Sequence, residues 1–281
     1  MTHPFLNTAI EAAQKGGDLI MKYRDRVDSI PVERKARGDY VSEVDKACEA
    51  LIRQELQRRY PDHTIIGEEQ PRRSGDGHVW LIDPIDGTTN YLRGIPHYAI
   101  SLALAVDGRI EHGVIYDPAR DELFAASRGQ GATLNSRRIR VSGRATLSTA
   151  VLATAFPFRN RRLLPAHRAM FDELFDQCED VRRAGAASLD LAYVACGRLD
   201  GYWEFNLKPW DVAAGGLIVQ EAGGVVMDIA GGDRWLESGH ILAAPFKLIT
   251  PMRKAIEPHI TEALQARLVK ARDAGGTGTR S

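Results

Sequence analysis

Apolar positions recur at helical spacing at the start of the chain. Leu6, Ile10, Ala13, Gly17 and Ile20 fall on one face, with Glu11, Lys15 and Asp18 between them, and predict a helix over residues 3–25. A second helical pattern over residues 44–60 stops at Tyr60-Pro61, where proline breaks the ladder. The rhythm then changes. Thr64-Ile65-Ile66 is a short apolar run, and residues 78–82 read as a buried strand. Residues 99–106 meet the hairpin signal Asp107-Gly108, and residues 109–116 and 122–126 continue the meander. The first half therefore reads as α+β with an antiparallel sheet. In the second half, strands at 149–154, 200–205, 224–229 and 240–244 alternate with helices at 166–176, 188–196, 211–222 and 246–270, which predicts an α/β unit. The expected units are residues 1–145 and 146–270, with a Gly-rich disordered tail at 271–281.

Composition narrows the class. The 281-residue chain is 44% hydrophobic and 26% charged, ordinary for a globular protein with a sizeable core. Lys+Arg and Asp+Glu stand at 37 each, so no global field draws polyanions. The three cysteines, Cys48, Cys178 and Cys196, are scattered and show no metal or disulfide spacing, which favours a reducing, cytoplasmic setting. There is neither an apolar run long enough to span a membrane nor a secretory signal pattern.

The candidate chemistry sits where apolar runs end. Trp80-Leu81-Ile82 delivers Asp83, followed by Pro84, Ile85, Asp86, Gly87, Thr88, Thr89 and Asn90. Two carboxylates on a rigid turn suit a hard divalent cation, and the Ile85 carbonyl between them is a further oxygen. If Gly87-Thr88 opens a helix, its amides face a phosphate. Each piece also has a plain reading. The turn can be a solvated Asp-Pro turn, Glu68 of Gly67-Glu68-Glu69 an exposed glutamate, and Asp211 of Trp210-Asp211 a helix cap. Taken together, Glu68, Asp83, Asp86 and Asp211 would repel strongly unless cations sat among them, and that set fits metal-assisted phosphoryl transfer to water. His63, His97, His112 and His240 lack paired ligand spacing and read as structural or solvated. No GxSxG, Walker or GxGxxG element is present.

The segments GEE, WLIDPIDGTTN and WDVAAG, in that order, resemble the signatures of the inositol monophosphatase family. The likeness extends over residues 5–265 and is nearest to the bacterial SuhB-type members, through Arg182-Arg183 and residues 189–195. It implies a layered αβαβα sandwich, a homodimer and Mg²⁺-dependent, lithium-sensitive hydrolysis of inositol monophosphate or a related polyol phosphate by a metal-activated water. By the same resemblance Glu68, Asp83 and the Ile85 carbonyl would hold one Mg²⁺, and Asp83, Asp86 and Asp211 a second. Glu68 and Thr88 would position the water, Asp45 would orient Thr88, and Lys35 matches a basic position near the metals. The Gly87 and Thr88 amides would bind phosphate, while Asp86, Gly185, Ala186, Ala187, Glu204 and Asp211 would contact the polyol. Asp86-Gly-Thr-Thr-Asn90 is the monophosphatase form, unlike the DGT-Lys-Glu of phosphoadenosine phosphate phosphatases or the DGSSN of fructose bisphosphatase relatives. One departure is Ala186, where many relatives carry Ser or Thr, with Ser188 two residues on.

A rival role competes with catalysis. SuhB-type relatives join ribosomal-RNA antitermination complexes. The basic clusters Arg137–Arg140, Arg159–Arg162 and Arg182-Arg183, by default solvated faces or subunit contacts, are the candidate surface for RNA or transcription proteins.

Overall fold

The computed structural model describes residues 3–29, 32–36, 39–70, 75–262 and 264. Helix α1 (Pro4–Tyr23) runs into a 3₁₀ turn, and a hairpin of β1 (Val32–Ala36) and β2 (Asp39–Ser42) leads to α2 (Glu43–Arg59). A seven-stranded sheet follows: β3 (Thr64–Gly67), β4 (His78–Asp86), β5 (Ala99–Val106), β6 (Arg109–Asp117), β7 (Glu122–Ser127), β8 (Gly131–Leu134) and β9 (Arg137–Arg138), in that spatial order. A short helix, α3 (Thr88–Leu92), lies between β4 and β5. The second half carries β10 (Val151–Thr154), α4 (Leu164–Phe175), β11 (Asp180–Arg182), α5 (Ala187–Ala195), β12 (Gly201–Glu204) and α6 (Pro209–Glu221). It ends with β13 (Gly224–Met227), α7 (Trp235–Ser238), β14 (Ile241–Pro245) and α8 (Phe246–Ile256). Its five strands are ordered β11-β10-β12-β14-β13.

The alternation of side chains along the strands builds the layers. Trp80 and Ile82 of β4, with Ile100, Leu102 and Leu104 of β5, face α1 and α2. Their neighbours Leu81, Ala99, Ala103 and Ala105 face α5 and α6 on the other side. In the second sheet Tyr202, Ile241 and Ala243 close on the same two helices, whereas Trp203, Leu242 and Ala244 pack against α4 and α8. The result is the αβαβα sandwich, with α5 and α6 as its middle layer. Small residues make that layer thin: a Cβ on Gly113 of β6 would come within 3.0 Å of the Ala214 backbone, and one on Gly215 within 2.6 Å of Leu191. No described helix is long and apolar enough to cross a membrane.

Several expectations need correction. The first sheet is antiparallel except at its edge, where β3 and β4 run parallel. Both strands therefore end on the same side of the sheet. In the second sheet β10 is parallel to β11 and β12, while β14 pairs antiparallel with β12 and β13. In α1 the buried stripe runs Leu6, Ala9, Ala13 and Ile20, leaving Ile10 at its margin. The last helix was expected to reach 270, but α8 ends at Ile256 and gives way to a 3₁₀ turn around Pro258, which cannot donate to the ladder. Residues 265–281, including the expected tail, lie outside the described residues.

Burial lowers His97, His112 and His167 to about 4. Each stays neutral in the fold while its unfolded counterpart takes up a proton near its ordinary value of about 6.5. Their contribution is complete above that value, and stability should fall as pH drops from about 6.5 towards 4. Urea unfolding across that range checks this, and substituting Asn for His112 should flatten the slope.

Candidate active site

Parallel pairing at the sheet edge brings the first two carboxylates together. Gly67 sits beside Ile82 in the register, so Glu68 and Asp83 stand next to each other, and the Glu68 amide donates to the Ile82 carbonyl at 3.2 Å. The turn is braced from behind by α2. The fully buried Glu49 carboxylate accepts from the amides of Glu69 at 2.7 Å and Gln70 at 3.1 Å, and from Arg53 Nε at 2.7 Å. A Cβ on Gly67 would lie 2.2 Å from Glu49 Oε1, so only glycine admits this approach.

Asp211 arrives from the second half. Pro209 opens α6, and Asp211 sits in its first turn, where its carboxylate accepts from the Lys208 amide at 2.7 Å; it is not the cap residue itself. Ser101, cross-strand from Asp83, donates its hydroxyl proton to the Trp210 carbonyl at 3.0 Å and so pins the start of α6 to β5. One carboxylate oxygen from each of Glu68, Asp83 and Asp211 then lies within 4.8 Å of the others. Burial first, then the charge of Glu68 and the neighbouring aspartates, pushes Asp83 and Asp211 well above the usual carboxylate range. An all-oxygen, acidic and partly buried donor set suits a hard divalent cation.

The turn after Asp83 is held from several sides. Asp83 Oδ1 accepts from the Ile85 amide at 3.1 Å. Gly87 adopts φ 94°, and a Cβ there would meet the His97 carbonyl oxygen at 3.0 Å and Ala186 at 3.4 Å. The Thr88 hydroxyl lies 2.9 Å from Asp45 Oδ1 and 3.0 Å from the Ile85 carbonyl, either of which can take its single proton. Asp45 is fixed in turn by the capping box of α2, where its Oδ2 accepts from the Ser42 amide at 2.8 Å. Asn90 joins the halves: its Nδ2 donates to the carbonyls of His97 at 2.8 Å and Ala184 at 2.9 Å. Asp86 does not belong to the close trio; Ser188 of α5 engages its Oδ2.

The remaining candidates gather on the second half's side. Gly185 and Ala186 lie against Gly87, and Ala187 begins α5. Glu204 ends β12 and accepts from the Tyr202 hydroxyl; burial lifts its carboxyl to about 7 against the opposing pull of that bond and of Arg183 and Arg159. Arg159 also favours the charged forms of Asp86 and Asp211. Lys35 lies in β1, and its side chain is outside the described residues.

Some contributors escaped the sequence reading. The Glu49–Arg53 pair left a usable signal, an i,i+4 ion pair on the apolar face of α2. Ser101 and Asn90 left none, because their partners are backbone groups far along the chain. Asp190 is buried with neither carboxyl oxygen hydrogen-bonded, and burial, then Glu204 and Asp86 nearby, push its carboxyl well above the usual carboxylate range. The fold also groups His63, Asp76 and His78. There Trp80 Nε1 donates to His63 Nδ1 at 3.0 Å, which leaves the proton of a neutral ring on Nε2 and no lone pair for an ion. The His63 and His78 rings also stack nearly parallel, 4.4 Å apart, so their in-plane lone pairs do not converge.

Arg53→Ala should leave buried Glu49 without its ion-pair partner, at a cost of about 3–5 kcal/mol. Urea denaturation measures this; a loss below about 1 kcal/mol would show that Arg53 does not brace the Glu68 turn.

The sequence profile described as the inositol monophosphatase family matches residues 1–272. A protein of Pseudomonas aeruginosa named Nus factor SuhB is 50% identical over 268 residues, covering 93% of this chain and 99% of its own. The crystal structure of the extragenic suppressor protein suhB from Bartonella henselae superposes with a TM-score of 0.89 at 40% identity, covering 92% of this chain and 100% of that one. The inositol monophosphatase from Anabaena superposes at 0.81 with 38% identity, covering 90% and 95%. With carboxylates of the first sheet's edge gathered beside the start of α6 and these relatives alike along almost their whole length, the chain belongs to the inositol monophosphatase family.

Proposed function

We propose that the protein hydrolyses the phosphate monoester of inositol or a related polyol in a Mg²⁺-dependent reaction. The observation that carries this reading is the convergence of Glu68, Asp83 and Asp211 within 4.8 Å, which is costly unless positive charge enters. Glu68, Asp83 and the Ile85 carbonyl would hold one Mg²⁺, and Asp83, Asp86 and Asp211 a second. Bound cations supply positive charge that offsets the phosphate's and acidify adjacent water. The chain supplies orientation. Thr88, its hydroxyl held by Asp45 or the Ile85 carbonyl, keeps its oxygen lone pairs for the attacking water and, with Glu68, aligns that water with the phosphorus. The Gly87 and Thr88 amides receive the phosphate oxygens. Glu204 and the Gly185–Ala187 segment flank the polyol; Ala186 offers no hydroxyl, which shifts preference among polyols and leaves the metal chemistry alone. Lys35 adds a positive charge near the metals. The working form is a homodimer in the cytoplasm, and Li⁺ inhibits it.

A second reading concerns partners. The name Nus factor SuhB, carried by relatives 45–50% identical, supports a role in ribosomal-RNA antitermination complexes, with the exposed Arg182 and neighbouring Arg183 as the contact. Asp83→Asn separates the two readings. Phosphate release from inositol monophosphate at saturating Mg²⁺ should fall by more than the roughly 10–100-fold that losing an outer-shell partner costs, because two ions lose a ligand. Capture of transcription factors should be unchanged in that variant and lost in Arg182→Glu/Arg183→Glu. Near-normal turnover of Asp83→Asn would overturn the metal assignment, and unchanged capture by the arginine variant would overturn the second reading.

A further inference from the structure

Asp86 is held by the opening of α5, 102 positions further along the chain. Its Oδ2 accepts from the Ser188 amide at 2.7 Å and from the Ser188 hydroxyl at 2.5 Å. The Ala187 amide also favours the charged form of this carboxylate. Ser188 is fully buried, so no water competes for its hydroxyl. The geometry explains why a serine stands here. Ala186 is the N-cap of α5 and its side chain cannot cap, so the first amides of the helix need an acceptor from elsewhere. Asp86 is that acceptor. One of its donors is a backbone amide that any residue would provide; the hydroxyl is the one contact that depends on the side chain at 188.

We propose that Ser188 is a positioning residue for the second cation: by binding Oδ2 it locks the Asp86 rotamer and leaves Oδ1 as the single oxygen offered to the ion shared with Asp83 and Asp211. The inference rests on the metal-dependent reading above. It has a selective consequence. The Ser188 hydroxyl donates to Asp86, an expected ligand of the second ion and not of the first. Its loss should therefore weaken one ion and spare the other. Removing an outer-shell partner typically costs roughly 10–100-fold in metal affinity. The same contact ties the second ion to the segment at 185–188, so the α5 end of the polyol pocket and the second cation are set by one hydrogen-bonding group.

The test counts ions without turnover. Mn²⁺, a hard divalent probe with a free-ion electron paramagnetic resonance signal, is titrated into the unaltered protein, Ser188→Ala and Ser188→Thr. Metal-free thermal unfolding of each variant accompanies the titrations, to establish that all three fold. The expected result is a tighter and a weaker ion in the unaltered protein, about a tenfold loss at the weaker one alone in Ser188→Ala, and recovery in Ser188→Thr, where the hydroxyl returns. A Ser188→Ala curve that superimposes on the unaltered one, or equal weakening of both ions, overturns the positioning role. If the unaltered protein retains no Mn²⁺ at millimolar concentration, the metal-dependent reading itself fails, which is a different outcome from either of these.

Discussion

Like charges crowded in a low-dielectric pocket are the constraint around which this molecule is arranged. One carboxylate oxygen from each of Glu68, Asp83 and Asp211 lies within 4.8 Å of the others, and burial first, then the charges of neighbouring carboxylates, raises buried Asp83 and Asp211. Nothing in such a cluster favours its own formation, so rigid elements must impose it. Parallel pairing of β3 with β4 sets Glu68 beside Asp83. The Ser101 hydroxyl on the Trp210 carbonyl sets Asp211 opposite them. A second circle of polar contacts then fixes what the strands leave free: Glu49 and Arg53 behind Glu68, Ser42 and Asp45 behind Thr88, and Ser188 behind Asp86.

The layered core makes those contacts possible. Helix α6 lies between two sheets because alanine and glycine line the faces it meets, with Gly113 opposite Ala214 and Gly215 opposite Leu191. A thicker interface would move the start of α6, and Asp211 with it. The site therefore depends on packing well away from any carboxylate, and the order of causes runs from small side chains to helix position to charge placement.

Much of this was readable in the chain, and the failures have physical reasons. The long helices and the meander announced themselves through periodicity, and each of Glu68, Asp83, Asp86 and Asp211 stood at the end of a predicted strand or helix. The hairpin of β1 and β2 was missed because Glu33, Arg34 and Lys35 give it no apolar alternation, and β11 because three residues are too few to show a period. Strand direction at the sheet edge was misjudged, since alternation within a strand says nothing about its partner's orientation. Ser188 was visible as an oddity beside Ala186, but its acceptor lies 102 residues away, and no local rule links such a pair. Asn90 and Ser101 share that difficulty, because a side chain bonded to distant backbone leaves no pattern.

The central claim is that the carboxylate cluster exists to receive divalent cations. Burial, and then the neighbouring charges, push Asp83 and Asp211 well above the usual carboxylate range, and a cation needs their charged forms, so binding is linked to proton release. Calorimetric titration of Mg²⁺ at pH 7 in two buffers of different ionisation enthalpy measures both at once. Saturable binding with heats that differ between the buffers, in the sense of proton release, is the predicted result. Absence of any Mg²⁺ binding heat at millimolar concentration in either buffer would contradict the account.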